Sequence, residues 1–116
     1  NKDINIKGAD ILILGITFKE NCPDVRNTKI YDVYKQLIKF GAAVDVFDSV
    51  ANKKEVKKEL QIDLIADYTS KQYSAIILAV AHNDFLSIDF KKLKSDKTII
   101  FDAKSFIETK YVDGRL

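Results

Sequence analysis

Apolar and polar positions alternate along the chain in blocks that predict strands and helices in turn. Four apolar blocks have the length and near-continuity of parallel strands that are buried on both faces. They cover residues 10–15, 42–48, 73–80 and 97–102. A weaker apolar block at 62–65 is the candidate for a fifth strand.

Between the strand blocks, apolar residues return at helical spacing. The clearest helix begins near Thr28 and ends at Gly41, where a left-handed cap costs little. Asn27 or Thr28 is its expected N-terminal cap. Its apolar stripe consists of Ile30, Val33, Tyr34, Leu37 and Ile38. Further helices are predicted over 49–60 and 83–93. Strands that alternate with helices predict a Rossmann-like α/β three-layer sandwich with a mostly parallel sheet of about five strands.

Length and composition describe one globular domain that spans 1–116. The chain has 116 residues, 47% hydrophobic and 31% charged, which is enough to bury a core of its own. No apolar run approaches the ~20 residues of a transmembrane helix, and the first residues lack the pattern of a signal peptide. We therefore expect a cytoplasmic protein that does not bind a membrane.

Charge and cysteine content argue against several classes of function. The formal net charge of +2 is far from the basic surface that nucleic-acid binding requires. The lysine-rich run 53–59 mixes both signs at helical spacing, which predicts a solvated helix face. One cysteine, Cys22, and one histidine, His82, are too few for an internal disulfide or a protein-built zinc site. We expect neither a metal nor a nucleic acid as a partner.

The loops that follow the strands form the candidate site, because ligands of open α/β sheets bind beyond the carboxyl ends of the strands. The first loop, 16–28, contains two cations, two anions and the only proline. The other loops lie at 48–49, 81–83 and 102–105. The first strand is not followed by a Gly-x-Gly-x-x-Gly pattern, so the chain encodes no complete dinucleotide site.

The segments GITFK at 15–19 and DVRNT at 24–28 resemble the signature that opens the C-terminal domain of the UDP-glucose/GDP-mannose dehydrogenase family. The run FKENCPDVRN at 18–27 is most similar to the branch of bacterial UDP-N-acetylglucosamine and UDP-N-acetylgalactosamine 6-dehydrogenases of surface-polysaccharide pathways. The resemblance continues through 31–41, 45–48, 79–82 and 102–104. It covers nearly the whole chain.

This resemblance implies an enzyme that oxidises the sugar C6 alcohol twice, to a carboxylate, with two NAD and a covalent thiohemiacetal on a cysteine of another domain. The chain would be the C-terminal UDP-sugar-binding domain, with no catalytic residue of its own, and inactive in isolation. The main NAD site would lie in the N-terminal domain. The implied partners are the UDP-sugar, the N-terminal and central domains of the same polypeptide, and further copies in a homo-oligomer.

The same resemblance implies roles for four residues. Phe18 and Lys19 occupy positions that contact the nucleotide-sugar, and Arg26 occupies a position that reaches NAD. Lys104 falls where some relatives place a substrate-contacting arginine. Lysine keeps the charge but lacks the planar fork that grips two oxygens.

Each of these assignments has a structural alternative. Lys19 could be a solvated surface lysine, Phe18 could close the core above the sheet, and Arg26 could pair with Asp24. Cys22 would need a base to act as a nucleophile, and His82 is the only imidazole in the chain. We interpret Cys22 as a packed loop residue. We interpret His82 as a cap of the next helix or as a neighbour of the ligand.

A second class of function is a non-catalytic α/β module, such as a flavodoxin-like, receiver-like or docking domain. A receiver needs clustered acidic residues after its first strand and an aspartate after its third. Here the corresponding positions are 15–17 and 80–82, and they contain no acidic residue. The receiver-like alternative is therefore weak.

Overall fold

The computed structural model describes residues 6–26 and 28–115, and in it helices cover a parallel sheet. The strand order is β2-β1-β3-β4-β5, and each neighbouring pair is parallel. The predicted fold class is confirmed. Within the described ranges, no helix has the length and apolar character needed to cross a bilayer. The strands are β1 (Asp10–Leu14), β2 (Ala43–Phe47), β3 (Ala75–Leu78), β4 (Ile99–Asp102) and β5 (Gly114–Arg115). The helices are α1 (Ile30–Lys39), α2 (Lys53–Leu60) and α3 (Phe90–Leu93), with 3₁₀ turns at Asn83–Ser87 and Thr109–Tyr111.

Strand side chains alternate between the two faces of the sheet, and both faces are covered. On one face, Ile13 belongs to a buried cluster with Val56 of α2, against which half-buried side chains of α1 pack. On the other face, Leu12 belongs to a cluster with Phe85 and Phe90, which lie in the first 3₁₀ turn and α3. Coverage of both faces explains why these strands have nearly continuous apolar sequences.

The prediction of a fifth strand at 62–65 is wrong, because the fifth strand is Gly114–Arg115, which pairs with β4. The segment 62–65 forms no ladder, although the N–H of Ile65 donates to the carbonyl of Val46 at 2.9 Å. Leu64 is buried. The segment therefore passes the outer edge of β2 with one side on the core, and this arrangement produces the same alternation as a strand.

The first helix ends as expected but begins later than the sequence suggests. It spans Ile30–Lys39, and Gly41 adopts the predicted left-handed conformation with φ 94°. The hydroxyl of Thr28 accepts the N–H of the first helical residue at 3.2 Å. The alternative cap, Asn27, lies outside the described residues.

The second helix is shorter than the predicted 49–60 and spans Lys53–Leu60. The residues before it are held in a turn because the carboxylate of Asp48 accepts the N–H groups two and three residues on. The side chain of Asn52 then caps the helix by accepting the N–H of the third residue after it. Polar side chains that bind nearby backbone thus delay the start of the helix.

The third predicted helix, 83–93, is wrong as a continuous element. It divides into the 3₁₀ turn Asn83–Ser87 and the single-turn helix Phe90–Leu93. Ile88 between them is extended, and the side chain of Asp89 accepts the backbone N–H three residues on. An aspartate that caps a new helix interrupts the old one, although the apolar periodicity continues across the break.

Gly15 directly follows β1, where the backbone passes close to the residues that follow β3. Its φ is +97°, and a Cβ there would lie 2.6 Å from the Cβ of Val80. Only glycine fits this position without moving the backbone.

We expect Gly15→Ala to lower the free energy of unfolding by more than about 3 kcal/mol, because the overlap of the new Cβ with Val80 adds to left-handed strain. Gly8 also has a positive φ, +82°, but nothing lies within 4 Å of its Cβ position. Gly8→Ala should therefore lose only the strain, about 1 kcal/mol. Urea denaturation measures both, and equal losses would contradict the role of the contact.

Candidate functional site

A cleft of about 160 Å³ lies at the carboxyl ends of the central strands. The register aligns the last residues of β1, β3 and β4, so the loops that follow them leave the sheet at one edge. The cleft is lined by Thr17, Phe18, Lys19, Glu20, Thr28, Lys29, Ile30, Ala79, Val80 and Lys104. The structure therefore brings together the three residues for which a substrate contact was expected.

The lining of the cleft is cationic. Lys19, Lys29 and Lys104 face a single acidic residue, Glu20. Among the residues that the structure describes, none of these three ammonium groups has a carboxylate within ion-pair distance. Cations gathered around a concave surface without paired carboxylates attract an anion. Sequence reasoning missed Lys29, although it directly follows the 24–28 segment that carries the family resemblance.

Phe18 lies at the mouth of the cleft and is 60% exposed. The alternative in which it closes the core is therefore wrong. Its backbone N–H donates to the carbonyl of Asp24 at 2.7 Å, which holds the two halves of the first loop together. An exposed aromatic ring beside a cationic cleft can pack against a flat ligand surface.

Arg26 does not line the cleft, and its guanidinium binds Asp24. Nε donates to Oδ1 at 3.1 Å and Nη2 donates to Oδ2 at 3.3 Å. Hydrogen bonds from the side chain and then the backbone of Arg26 lower the pKa of Asp24, and the same pair raises the pKa of Arg26. The guanidinium keeps further donors exposed for a second anion. The ion-pair interpretation is confirmed, and it is compatible with a ligand contact.

In the described part of the chain, Cys22 and His82 form no nucleophile–base pair. The imidazole of His82 is fully buried and its nitrogens contact other groups. Nδ1 accepts the N–H of Asn21 at 2.9 Å, and Nε2 lies 3.0 Å from Oδ2 of Asp48. His82 precedes the 3₁₀ turn without a side-chain capping bond, so its expected role as a cap is wrong. Its nitrogens instead contact residues in the loops that follow β1 and β2.

The carboxylate of Asp48 connects the ends of three strands beneath the cleft. Oδ2 accepts the N–H of Ile16 at 2.8 Å after β1 and contacts His82 after β3. Oδ1 accepts the N–H groups of Val50 and Ala51 after β2. Burial would raise the pKa of Asp48, but the hydrogen bond to His82 and those from the backbone outweigh burial and lower it. Asp48 is therefore an anion held in place by several donors.

Sequence reasoning missed the Asp48–His82 contact, although both residues lay in the loops named as candidates. Each follows a strand that flanks β1 in the observed order. An acid and an imidazole at the ends of such strands come within reach of each other. Periodicity does not reveal strand order, so this signal becomes visible only with the topology.

The described residues do not fit a metal or a complete dinucleotide. Within 6–26 and 28–115, no group of three or more His, Cys, Asp or Glu side chains could hold a metal ion. Gly15 leads into a long irregular loop and not directly into the N-terminus of α1. The close approach of backbone to pyrophosphate that defines a dinucleotide fingerprint is therefore not built here.

Asp48→Asn should lower the free energy of unfolding at pH 7 by about 2 kcal/mol, because a charge-assisted acceptor of buried donors is lost. The folded pKa of Asp48 lies below the unfolded value near ~3.9. The ionised carboxylate therefore stabilises the fold above the unfolded pKa, and this contribution is lost as the pH falls through the folded pKa.

Guanidinium denaturation of wild type and Asp48→Asn, repeated from about pH 7 to about pH 2, measures this effect. The difference in the free energy of unfolding between the two proteins should decrease as the pH falls. Asp96 is an exposed aspartate, and Asp96→Asn is the control that should show little difference throughout. A difference for Asp48→Asn that stays constant with pH would contradict the assignment.

Comparison with known proteins identifies relatives of the whole chain. The profile of the UDP-glucose/GDP-mannose dehydrogenase family, UDP binding domain, matches residues 12–109. A UDP-N-acetyl-D-glucosamine 6-dehydrogenase of Salmonella typhi is 42% identical over 99% of this chain and 28% of that protein. Protein CapL of Staphylococcus aureus is 39% identical over 91% of this chain and 26% of that protein. The chain thus spans little more than a quarter of the length of these relatives.

Solved structures share the fold at lower identity. An NDP-N-acetyl-D-galactosaminuronic acid dehydrogenase from Methanosarcina mazei Go1 aligns with a TM-score of 0.79 and 20% identity, over 95% of this chain and 25% of that one. A UDP-glucose dehydrogenase from Pyrobaculum islandicum aligns with a TM-score of 0.76 and 22% identity, over 94% and 25%. These likenesses concern the fold alone.

Proposed function

The chain belongs to the UDP-glucose/GDP-mannose dehydrogenase family, and on that premise we propose that residues 1–116 form the C-terminal UDP-sugar-binding domain of an NAD-dependent UDP-sugar 6-dehydrogenase. The observation that carries the proposal is the cleft at the strand ends, where Phe18, Lys19 and Lys104 converge. The complete enzyme would oxidise the sugar C6 alcohol to a carboxylate, with two hydrides transferred to two NAD, one water supplying the second carboxylate oxygen, and three protons released to solvent. The product would be a UDP-uronic acid.

The charge of the cleft suits the diphosphate of a nucleotide-sugar. Lys19 and Lys104 supply compact cations with rotatable donors, and Lys29 adds a third positive charge. At about 160 Å³ the cleft is smaller than the ~300–1,000 Å³ of a complete small-molecule site. It would therefore hold only part of the ligand, and the remainder would lie against other domains of the enzyme.

Phe18 supplies the apolar part of the proposed contact. Its exposed ring stands next to Lys19, so one segment offers both a charge and a flat surface. Burial of an exposed ring by a ligand is favourable, which compensates for the exposure of Phe18 in the free domain. No residue of the cleft is proposed to transfer a proton, and this domain contributes to the reaction by binding and orienting the substrate.

Arg26 would contact NAD and not the substrate. It lies outside the cleft with donors that Asp24 leaves available. The main NAD site would belong to the N-terminal domain, since the described residues form no dinucleotide cradle. The proposed partners are thus the N-terminal and central domains of the same polypeptide, and further copies in a homo-oligomer.

The cellular role that we propose is synthesis of surface polysaccharide, such as capsule, from the UDP-uronic acid in the cytoplasm. The similarity to Protein CapL and to a UDP-N-acetyl-D-glucosamine 6-dehydrogenase supports this direction. UDP-N-acetylglucosamine is accordingly the first substrate to test.

Steady-state kinetics of the complete polypeptide that contains this chain tests the proposal. Two NADH should form per UDP-N-acetylglucosamine, and residues 1–116 alone should form none. Lys19→Ala should raise the KM for the UDP-sugar about tenfold with little change in the KM for NAD, because one charge-assisted phosphate contact is lost. Arg26→Ala should raise the KM for NAD with little change in the KM for the UDP-sugar.

Lys54→Ala is the matched control, because it removes the same charge from an exposed position on α2. Its two KM values should equal those of wild type. Equal effects of Lys19→Ala and Lys54→Ala would overturn the assignment of the cleft. No NADH from any UDP-sugar or from GDP-mannose would overturn the proposed activity.

A further inference from the structure

His82 is a fully buried titratable group next to the cleft that the proposed function does not use. Thr17, whose hydroxyl oxygen contacts the imidazole, lines the cleft, but the imidazole itself does not. The ring is close to Phe85, with centroids 5.3 Å apart, and this packing would account for any aromatic side chain at position 82. The hydrogen bonds of its two nitrogens indicate a role that an apolar aromatic ring could not fill.

The hydrogen bonds define the protonation state of the ring. Nδ1 accepts the N–H of Asn21 at 2.9 Å, so Nδ1 carries no proton and the proton of the neutral ring lies on Nε2. Nε2 is 3.0 Å from Oδ2 of Asp48 and 3.2 Å from the hydroxyl oxygen of Thr17. The carboxylate of Asp48 therefore selects the tautomer and orients the ring.

The two nitrogens hold the segment 17–21 at both of its ends. The hydroxyl of Thr17 donates to the carbonyl of Lys19 at 3.0 Å, which leaves its oxygen to accept from Nε2 of His82. The single Nε2 proton is thus shared between this oxygen and the nearer Oδ2 of Asp48. At the other end, Nδ1 accepts the N–H of Asn21, which adopts a left-handed φ of 60° and whose Oδ1 accepts the N–H of Asn83 at 2.8 Å. Lys19 lies between the two residues that the ring contacts, Thr17 and Asn21.

We propose that His82 is a positioning residue, whose neutral Nε2-protonated ring, oriented by Asp48, holds segment 17–21 so that Phe18 and Lys19 face the ligand. This inference rests on the proposed function. It adds a buried imidazole that contacts the binding segment and not the ligand. A segment released from the ring would populate the binding conformation only part of the time. The apparent Kd for the ligand would rise in inverse proportion to that fraction.

Two substitutions separate hydrogen bonding from packing. His82→Phe keeps an aromatic ring against Phe85 but removes both nitrogens. His82→Gln keeps an amide donor for Asp48 and a carbonyl acceptor for the N–H of Asn21. A role in packing alone predicts that His82→Phe is the better substitute, whereas positioning through hydrogen bonds predicts that His82→Gln is.

The experiment measures the Kd for UDP by calorimetry and the hydrogen-exchange rate of the Asn21 amide by NMR, in wild type and both variants. We expect His82→Phe to raise the Kd at least tenfold and to speed exchange of Asn21. His82→Gln should retain most of the affinity for UDP and most of the protection of the Asn21 amide. In wild type, the ¹⁵N shifts of the imidazole should report a proton on Nε2 and an unprotonated Nδ1. Thr17→Val, which preserves side-chain shape, should also raise the Kd, and it serves if His82→Phe does not fold.

A His82→Phe or Thr17→Val variant that binds UDP as tightly as wild type overturns the positioning role and leaves the proposed function intact. A wild-type imidazole that carries its proton on Nδ1 also overturns the positioning role. If wild type fails to bind UDP while Asn21 is protected and the tautomer is as described, the binding function itself is overturned.

Discussion

The buried carboxylate of Asp48 is the interaction on which the site depends. A parallel sheet brings the carboxyl ends of its strands to one edge, but it does not determine how the loops beyond that edge are arranged. Asp48 accepts the N–H of Ile16 after β1, closes the turn after β2 and orients His82 after β3. Because these donors outweigh the cost of burial, the pKa of Asp48 lies below its ordinary value. One anion thus connects three loops.

Above this buried contact, the surface of the site is organised by charge. Within the described residues, the lysines for which an ion pair is seen lie away from the cleft, as in the Lys57–Asp63 and Lys94–Asp113 pairs. The cleft instead gathers Lys19, Lys29 and Lys104 around a single acidic side chain. Positive charges near one another without carboxylate partners repel, and a bound diphosphate would relieve that repulsion. This balance of charge is the reason for proposing that the cleft binds the diphosphate.

The sequence was informative where one local pattern determines one structure. The four main strands, α1 and the left-handed Gly41 follow from apolar periodicity and from the conformational freedom of glycine. The prediction of a strand at 62–65 was wrong because a segment that passes the edge of the sheet has the same alternation of apolar and polar residues as a strand. Family resemblance located Phe18 and Lys19. The contact of Asp48 with His82 depends on strand order, and the exposure of Phe18 depends on loop geometry, so local patterns could not reveal either.

Titration of UDP into the ¹⁵N-labelled chain would show by NMR whether the nucleotide binds in the cleft, because it locates the ligand without requiring catalysis. We expect saturable shift changes confined to the amides of Phe18, Lys19, Lys29 and Lys104 and to the end of β3. Inorganic phosphate at the same concentration should shift the lysine amides more than that of Phe18. Changes centred on the loops around Lys94 and Tyr111, or no saturable change, would show that UDP does not bind in the cleft.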